Sequence, residues 1–304
     1  MKEKILCVGE TMAMVTPAQR ESLATSELFT ITAGGAESNV AGHLASMSFD
    51  TGWLGRLGND ALGDRIFAEM ARRRLDTQWI LRDASAPTGV YFKDPMPGEG
   101  ASVKYYRSHS AASKMSVADF DTWPFREARW VHLSGITPAL SASCNSLVER
   151  IVNESAHHGY SVSFDVNYRA ALWGAAAAGD RCSYVGNRCR VVLVGLDEAH
   201  ALWGVATAEE VADIFPQTEH IIVKDGANEA VELILQPGGG RTIFRAPALP
   251  VDVVEAVGAG DAFAAGFIGG MLNGLEPGAR LAAGHKLAAW TLGSVTDFRP
   301  YVHE

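Results

Sequence analysis

The feature that most constrains this chain is an alternation of short β-rich apolar runs with longer segments whose apolar residues recur at helical spacing. Ile5–Val8 predicts a first strand, and Ala36–Met47 a helix opening just after Gly34-Gly35. Thr51–Leu54 predicts a strand and Asp60–Arg74 a helix, with Leu62, Ile66 and Met70 on one face. Trp130–Leu133 is the next strand, and Ser143–His157 a helix that lines up Leu147, Val148, Ile151 and Val152. Strands at Val162–Asp165, Val191–Val194 and Ile221–Val223 follow, then helices at Asp261–Leu272 and Pro277–Val295. Strands joined through helices cross over and run parallel, and the helices cover both faces of the sheet. The expected fold class is therefore α/β, a mostly parallel sheet flanked by helices.

Two stretches, Leu28–Thr32 and Thr88–Lys104, are polar at alternate positions and stand apart from the helical units. The second contains the turn cluster Pro95-Met96-Pro97-Gly98-Glu99-Gly100. They predict a small half-exposed sheet, a lid over one edge of the main body. No internal repeat or linker-like tract divides the chain. The expected organisation is a single domain over 1–304, with lid strands from about 12–33 and 88–113.

Composition narrows the function classes. Of 304 residues, 47% are hydrophobic, enough for a large core, and the net charge of -9 argues against a nucleic-acid-binding surface. Cys7, Cys144, Cys182 and Cys189 form no CxxC pair, and no HExxH spacing occurs, so a zinc site is not expected. Met1-Lys2-Glu3-Lys4 leads into a short apolar run that Glu10 interrupts, too short for the core of a signal peptide. No apolar stretch reaches the roughly 18 residues of a membrane span. The expected location is cytoplasmic.

The segment richest in chemistry is Val257-Gly258-Ala259-Gly260-Asp261-Ala262-Phe263, small residues running into a helix. Backbone N–H groups at Gly258, Ala259 and Gly260 can approach a ligand closely, and the helix start adds partial positive charge. Together they suit charge developing on a transferring phosphoryl group. Asp261, in the first helical turn, can accept the proton of an attacking hydroxyl. A glycine-rich helix start with an N-terminal acid reads the same way locally. A dinucleotide fingerprint does not fit, because Phe263 stands where its third glycine should be. No GKS or GKT occurs, so there is no Walker loop.

Val257–Ile268 is similar to the second motif of the ribokinase-like, or PfkB, carbohydrate kinases. Gly34-Gly35-Ala36-Glu37-Ser38-Asn39-Val40-Ala41 resembles that family's first motif. The resemblance covers essentially the whole chain. It implies a kinase acting on a sugar hydroxyl with ATP and Mg2+, Asp261 as base, and Gly34, Gly35 and Asn39 at the sugar. Val103–Ser113, with Tyr105 and Arg107, resembles the YYRxxSAAS stretch of 2-keto-3-deoxygluconate kinases, and Phe164–Trp173 their DxNxRxxLW segment. Gly135–Leu140 also fits that subfamily. By the match, Tyr105, Arg107 and Arg169 would hold the carboxylate of a sugar acid through charge-assisted hydrogen bonds, with Tyr91 covering it. Ketose kinases such as fructokinase share the DxNxR stretch, so a neutral ketose is the alternative. A sugar-acid-binding protein with decayed kinase activity is a third reading.

The resemblance further implies that Asn167, Lys224, Gly226 and His285 face ATP and that Glu198 belongs to the magnesium shell. The departures gather on this side. Glu255-Ala256 stand for the usual Asp-Thr, Gly195 for the Asn of Asn-x-x-Glu, and Glu229 for the last glycine of KxGxxG. Gly284-His285-Lys286 replace the usual adenine-lining turn. The longer Glu255 leaves a monovalent-cation site uncertain. The family also implies a homo-oligomer joined through the lid.

Overall fold

The computed structural model describes residues 3–19, 21–96, 100–254, 256–294 and 296–300. Its strands are β1 (Lys4–Val8), β2 (Met12–Pro17), β3 (Phe29–Gly34), β4 (Thr51–Leu54), β5 (Arg56–Gly58), β6 (Leu81–Asp83) and β7 (Val90–Met96). They continue with β8 (Gly100–Tyr106), β9 (Ala128–Ser134), β10 (Ser161–Asp165), β11 (Val191–Gly195), β12 (His220–Asp225), β13 (Glu229–Leu235) and β14 (Arg241–Pro247). The helices are α1 (Ala36–Ser46), α2 (Ala61–Arg72), α3 (Val117–Thr122), α4 (Ile136–Leu140), α5 (Ala142–Asn153) and α6 (Ser155–His158). After them come α7 (Ala175–Gly186), α8 (Leu196–Trp203), α9 (Val211–Ile214), α10 (Ala259–Leu272) and α11 (Pro277–Leu292).

Eight strands form the main sheet in the order β14-β13-β12-β11-β10-β9-β1-β4. The six from β12 to β4 are parallel, while β13 and β14 add on antiparallel. Because side chains alternate along a strand, each central strand feeds two cores. Ile5 and Cys7 of β1, with Val191 and Leu193 of β11, join α1, α2, α10 and α11 on one face. Leu6 and Val8, with Val192 and Val194, face α5, α7 and α8 on the other. Near-continuous apolar strands between two helical layers are the arrangement that the alternation requires.

The expected mostly parallel sheet is present. The antiparallel β13–β14 hairpin was not anticipated, nor were α7 and α8. The helix expected over Ser143–His157 is two helices that meet at Glu154, the second closed by Gly159 in a left-handed conformation. The last helix stops at Leu292, short of the expected Val295, which lies outside the described residues.

A separate four-stranded sheet, β3-β2-β7-β8, stands beside the main body. Its β7–β8 register runs from Val90 opposite Tyr106 to Met96 opposite Gly100; of the expected turn cluster, Pro97, Gly98 and Glu99 lie outside the described residues. Asp60 ties this unit to the main body. One of its carboxylate oxygens caps α2 by accepting from the Gly63 N–H at 2.8 Å, and the other accepts from the Thr88 N–H at 2.8 Å, two residues before β7. Asp60→Ala removes a helix cap and leaves the Thr88 N–H unpaired, and is expected to destabilise the protein by about 1–2 kcal/mol. A lowered thermal midpoint checks this; an unchanged midpoint would show that the tie carries no stability.

Candidate active site

In open α/β sheets, the carboxyl ends of the strands leave a crevice where loops and helix starts converge. Here the crevice is a cavity of about 1140 Å3 between the main sheet and the small one. Glu10 follows β1, Asp165 ends β10, Gly195 ends β11 and Lys224 lies near the end of β12, and all four line it.

The loop before α10 forms its floor. Gly258 takes φ +86°, and a Cβ there would lie 2.1 Å from the Asp297 carbonyl oxygen, so the turn demands glycine. Ala259, Gly260 and Asp261 begin the helix and face the cavity. Asp261 Oδ2 accepts from the Asn39 side-chain amide at 3.0 Å, which joins the two sequence motifs across 222 residues. Burial raises the Asp261 carboxyl to about 7, with Asp165 and Glu37 adding to the rise and the Asn39 bond and Arg169 opposing it. A carboxylate with that affinity can hold a proton and release it near neutral pH.

The small sheet supplies the opposite wall. Gly34 has no room for a side chain, because a Cβ would lie 1.9 Å from the Tyr91 hydroxyl oxygen, and one on Gly35 would lie 2.4 Å from the Glu10 carbonyl oxygen. The Tyr91 and Tyr105 rings lie 5.6 Å apart, and the Arg107 guanidinium sits over the Tyr105 ring at 5.5 Å. Arg107 is ion-paired with Glu10, itself 2% exposed and accepting from Ser110 Oγ at 2.6 Å. Arg169 also lines the cavity; it donates to the Tyr168 carbonyl at 3.0 Å and lies 4.0 Å from Glu198. All seven residues expected at the sugar, Gly34, Gly35, Asn39, Tyr91, Tyr105, Arg107 and Arg169, line this one cavity.

The pfkB family carbohydrate kinase profile matches residues 2–298, nearly the whole chain. The chain belongs to the pfkB family of carbohydrate kinases. It is a phosphotransferase with an alcohol group as acceptor. A 2-dehydro-3-deoxygluconokinase of Bacillus subtilis is 33% identical over 283 residues, 91% of this chain and 85% of that protein. A 2-dehydro-3-deoxygluconokinase of Thermoproteus tenax is 30% identical, over 90% of this chain and 83% of that one. Among solved structures, the 2-dehydro-3-deoxygluconokinase of Thermotoga maritima superposes with a TM-score of 0.86 at 26% identity, covering 99% of this chain and 96% of that chain.

In this pfkB kinase, Lys224 donates to both oxygens of Asp165, at 3.1 and 2.9 Å. Burial alone would lower its pKa, but Asp165, Glu198 and Asp261 raise it, so the ammonium stays charged beside the Gly258–Asp261 loop. Asn167 has φ +39°, and its buried Oδ1 has no hydrogen-bond partner, an open acceptor at the cavity wall. Gly226, in the β12–β13 turn, also borders the cavity. His285 lines it as well, but Nε2 is engaged with the Ala246 carbonyl at 3.1 Å and its ring meets Phe263 edge-on, so it forms an anchored wall. Glu198 accepts from the Tyr168 N–H at 2.8 Å and the Gly195 N–H at 2.9 Å. Burial raises its pKa, opposed by Lys224. Glu255 lies outside the described residues.

Three residues at the site were missed in the sequence. Asp297 accepts from the Tyr91 hydroxyl at 2.8 Å and from Lys93 Nζ at 3.0 Å, and both partners of the ion pair are 4% exposed at their side chains. Lys93 looks like any strand lysine, and Asp297 follows the last helix in no pattern. Glu10 had a signal, as a carboxylate directly after an apolar strand.

The titration of Asp261 sets an expected pH dependence. Below about pH 7 it is protonated and cannot accept the hydroxyl proton, so kcat/KM should fall on the acid side with an apparent pKa near 7. Asp261→Asn should retain acceptor binding and lose about 10²–10⁴ in turnover. Near-native turnover in the variant would remove Asp261 from the chemistry.

Proposed function

We propose that this kinase transfers the γ-phosphate of ATP to a terminal hydroxyl of a sugar acid, converting 2-keto-3-deoxygluconate to its 6-phosphate. The observation that carries the reading is one cavity that holds a base with a pKa near 7 and is lined as well by Tyr91, Tyr105, Arg107 and Arg169. The names of the Bacillus subtilis and Thermoproteus tenax relatives support the same acceptor class. Asp261 takes the hydroxyl proton as that oxygen bonds the γ-phosphorus, and the bond from phosphorus to the departing ADP oxygen breaks. The N–H groups of the Gly258–Asp261 loop stabilise the charge on the phosphoryl oxygens. Lys224 contributes a fixed positive charge, and Asn167 and Gly226 border the nucleotide side.

Magnesium binds oxygen donors and keeps several waters. Glu198, with Asp197 beside it on α8, fits that preference, and the ion would neutralise phosphate charge. The small sheet acts as a lid over the acceptor. Exposed Leu28 and Phe29, and Tyr106 of β8, support pairing of two copies through it.

A coupled ADP-release assay over sugar acids and neutral ketoses tests the reading. Sugar acids should be preferred; preference for fructose would establish the ketose alternative, and no turnover with any acceptor would favour a decayed binding protein. Arg107→Leu should weaken sugar-acid binding by about 1.5–3 kcal/mol and affect a neutral sugar much less. Because that change leaves Glu10 buried without its cation, Glu10→Gln/Arg107→Leu should be measured beside it. Equal losses for acids and neutral sugars in both would assign Arg107 a structural role.

Gly195 generates a separate expectation. The kinase should need more free magnesium than relatives with an asparagine there, and Gly195→Asn should lower that need by up to about 10-fold. A Cβ at Gly195 would lie 2.4 Å from Asp197 Oδ1, so this carboxylate must turn aside in the variant. Magnesium titrations at saturating ATP and sugar acid, with and without potassium, check this; superimposable curves would exclude Gly195 from the metal shell. Potassium stimulation should be weak or absent, since Glu255 stands where the family carries aspartate.

A further inference from the structure

Next to the active site, the guanidinium of Arg73 is buried at the end of α2, with its side chain 5% exposed. Its contacts run in three directions. Nη2 donates to Glu69 Oε1 at 2.6 Å and to the Ala33 carbonyl at 3.1 Å, while Glu69 Oε2 accepts from the Ala33 N–H at 2.9 Å. The ion pair thus satisfies both backbone groups of one residue on β3, an edge strand of the small sheet. Nη1 donates to Asn39 Oδ1 at 3.2 Å. The Phe298 ring lies 4.1 Å from the guanidinium carbon. Gly42 of α1 makes room, since a Cβ there would lie 2.7 Å from Phe298 and 3.3 Å from Arg73 Cδ.

An amide presents an acceptor on one side and donors on the other. With its oxygen held by Arg73, Asn39 has only N–H groups to offer Asp261. We propose that Arg73 is a positioning residue for phosphoryl transfer: it fixes the Asn39 amide with its N–H side on Asp261, so that the base meets a donor in every turnover. Without Arg73 the amide can turn over and accept from a protonated Asp261, which stabilises the acid form and withdraws the base. With Arg73 in place, the turned amide would set its N–H groups against the guanidinium. The contact also joins the base to the β3 edge immediately before Gly34-Gly35. The inference rests on the reading of Asp261 as base.

The charged and titratable groups around Asp261 are Glu37 of α1, Asp165 of β10, Arg169 in the following loop, Lys224 of β12 and Tyr91 of β7. Those around Arg73 are Glu69 of its own helix, Tyr91, Asp297 and His43 of α1; burial lowers the His43 pKa to about 3, so it is neutral when the enzyme works. None of them contacts Asn39 Oδ1 among the described residues.

The test compares pH profiles of kcat/KM, with ATP and the acceptor that the native protein turns over fastest. Glu69→Gln alone keeps Arg73 on Asn39 and should leave the acid limb in place. Adding Arg73→Met to Glu69→Gln removes the contact without stranding a carboxylate, and should move the limb up by about 0.5–1 pH unit. In an Asn39→Ala background the same addition should move nothing further, which a merely structural role would not produce. If the double variant does not fold, Arg73→Lys keeps the charge beside Glu69 and should shift the limb in the same direction. An unmoved limb on loss of Arg73, or an equal shift with and without Asn39, overturns the proposal. Asp261→Asn measured in parallel separates the cases: near-native turnover there would sink the base assignment itself, whereas collapse there with no effect of Arg73 sinks only this inference.

Discussion

The site turns on the Asp261 carboxylate, which its protein surroundings desolvate while the Asn39 amide gives it one good donor. Burial favours its protonated form and the Asn39 amide favours the carboxylate, and the balance stands near neutrality. That balance needs both ends of the chain. Asn39 belongs to α1, near the start, and Asp261 to α10, near the end, and the two helices meet over β1 in one core. The parallel sheet between them is the frame that sets their separation.

The cations around the cavity show a second regularity. Arg107 is paired with Glu10, Lys93 with Asp297 and Lys224 with Asp165. Each cation can therefore be buried at tolerable cost, because a partner offsets its desolvation. Arg169, with a side chain 44% exposed and Glu198 only at 4.0 Å, is the least committed of the four. The cavity thus presents one loosely held guanidinium and three positioned cations that are already paired.

The backbone requirements of the site are distributed in the same way. Gly34 yields to the Tyr91 hydroxyl, and Gly258 to the Asp297 carbonyl. Both glycines are explained by a group from a distant part of the chain. In the sequence each was visible as part of a motif, but the atom that excludes its side chain was not.

The sequence by itself determined the layered α/β architecture, because short continuous apolar runs and apolar residues at about 3.6 spacing specify strands buried on both faces and helices that cover them. It also carried the Gly258–Asp261 loop, since a helix start with small residues is a local property that neighbouring residues create together. The cavity-lining residues Tyr105 with Arg107, and Asn39 with its glycines, were legible through their motifs. What only the tertiary structure decided was who partners whom: Glu10 with Arg107, Lys93 with Asp297, and Arg73 with Asn39 beside Asp261. The antiparallel β13–β14 edge belongs to the same class. The physical reason is that desolvation and hydrogen bonding act through space, and a charge buried beside a residue 204 positions away leaves no periodicity along the chain.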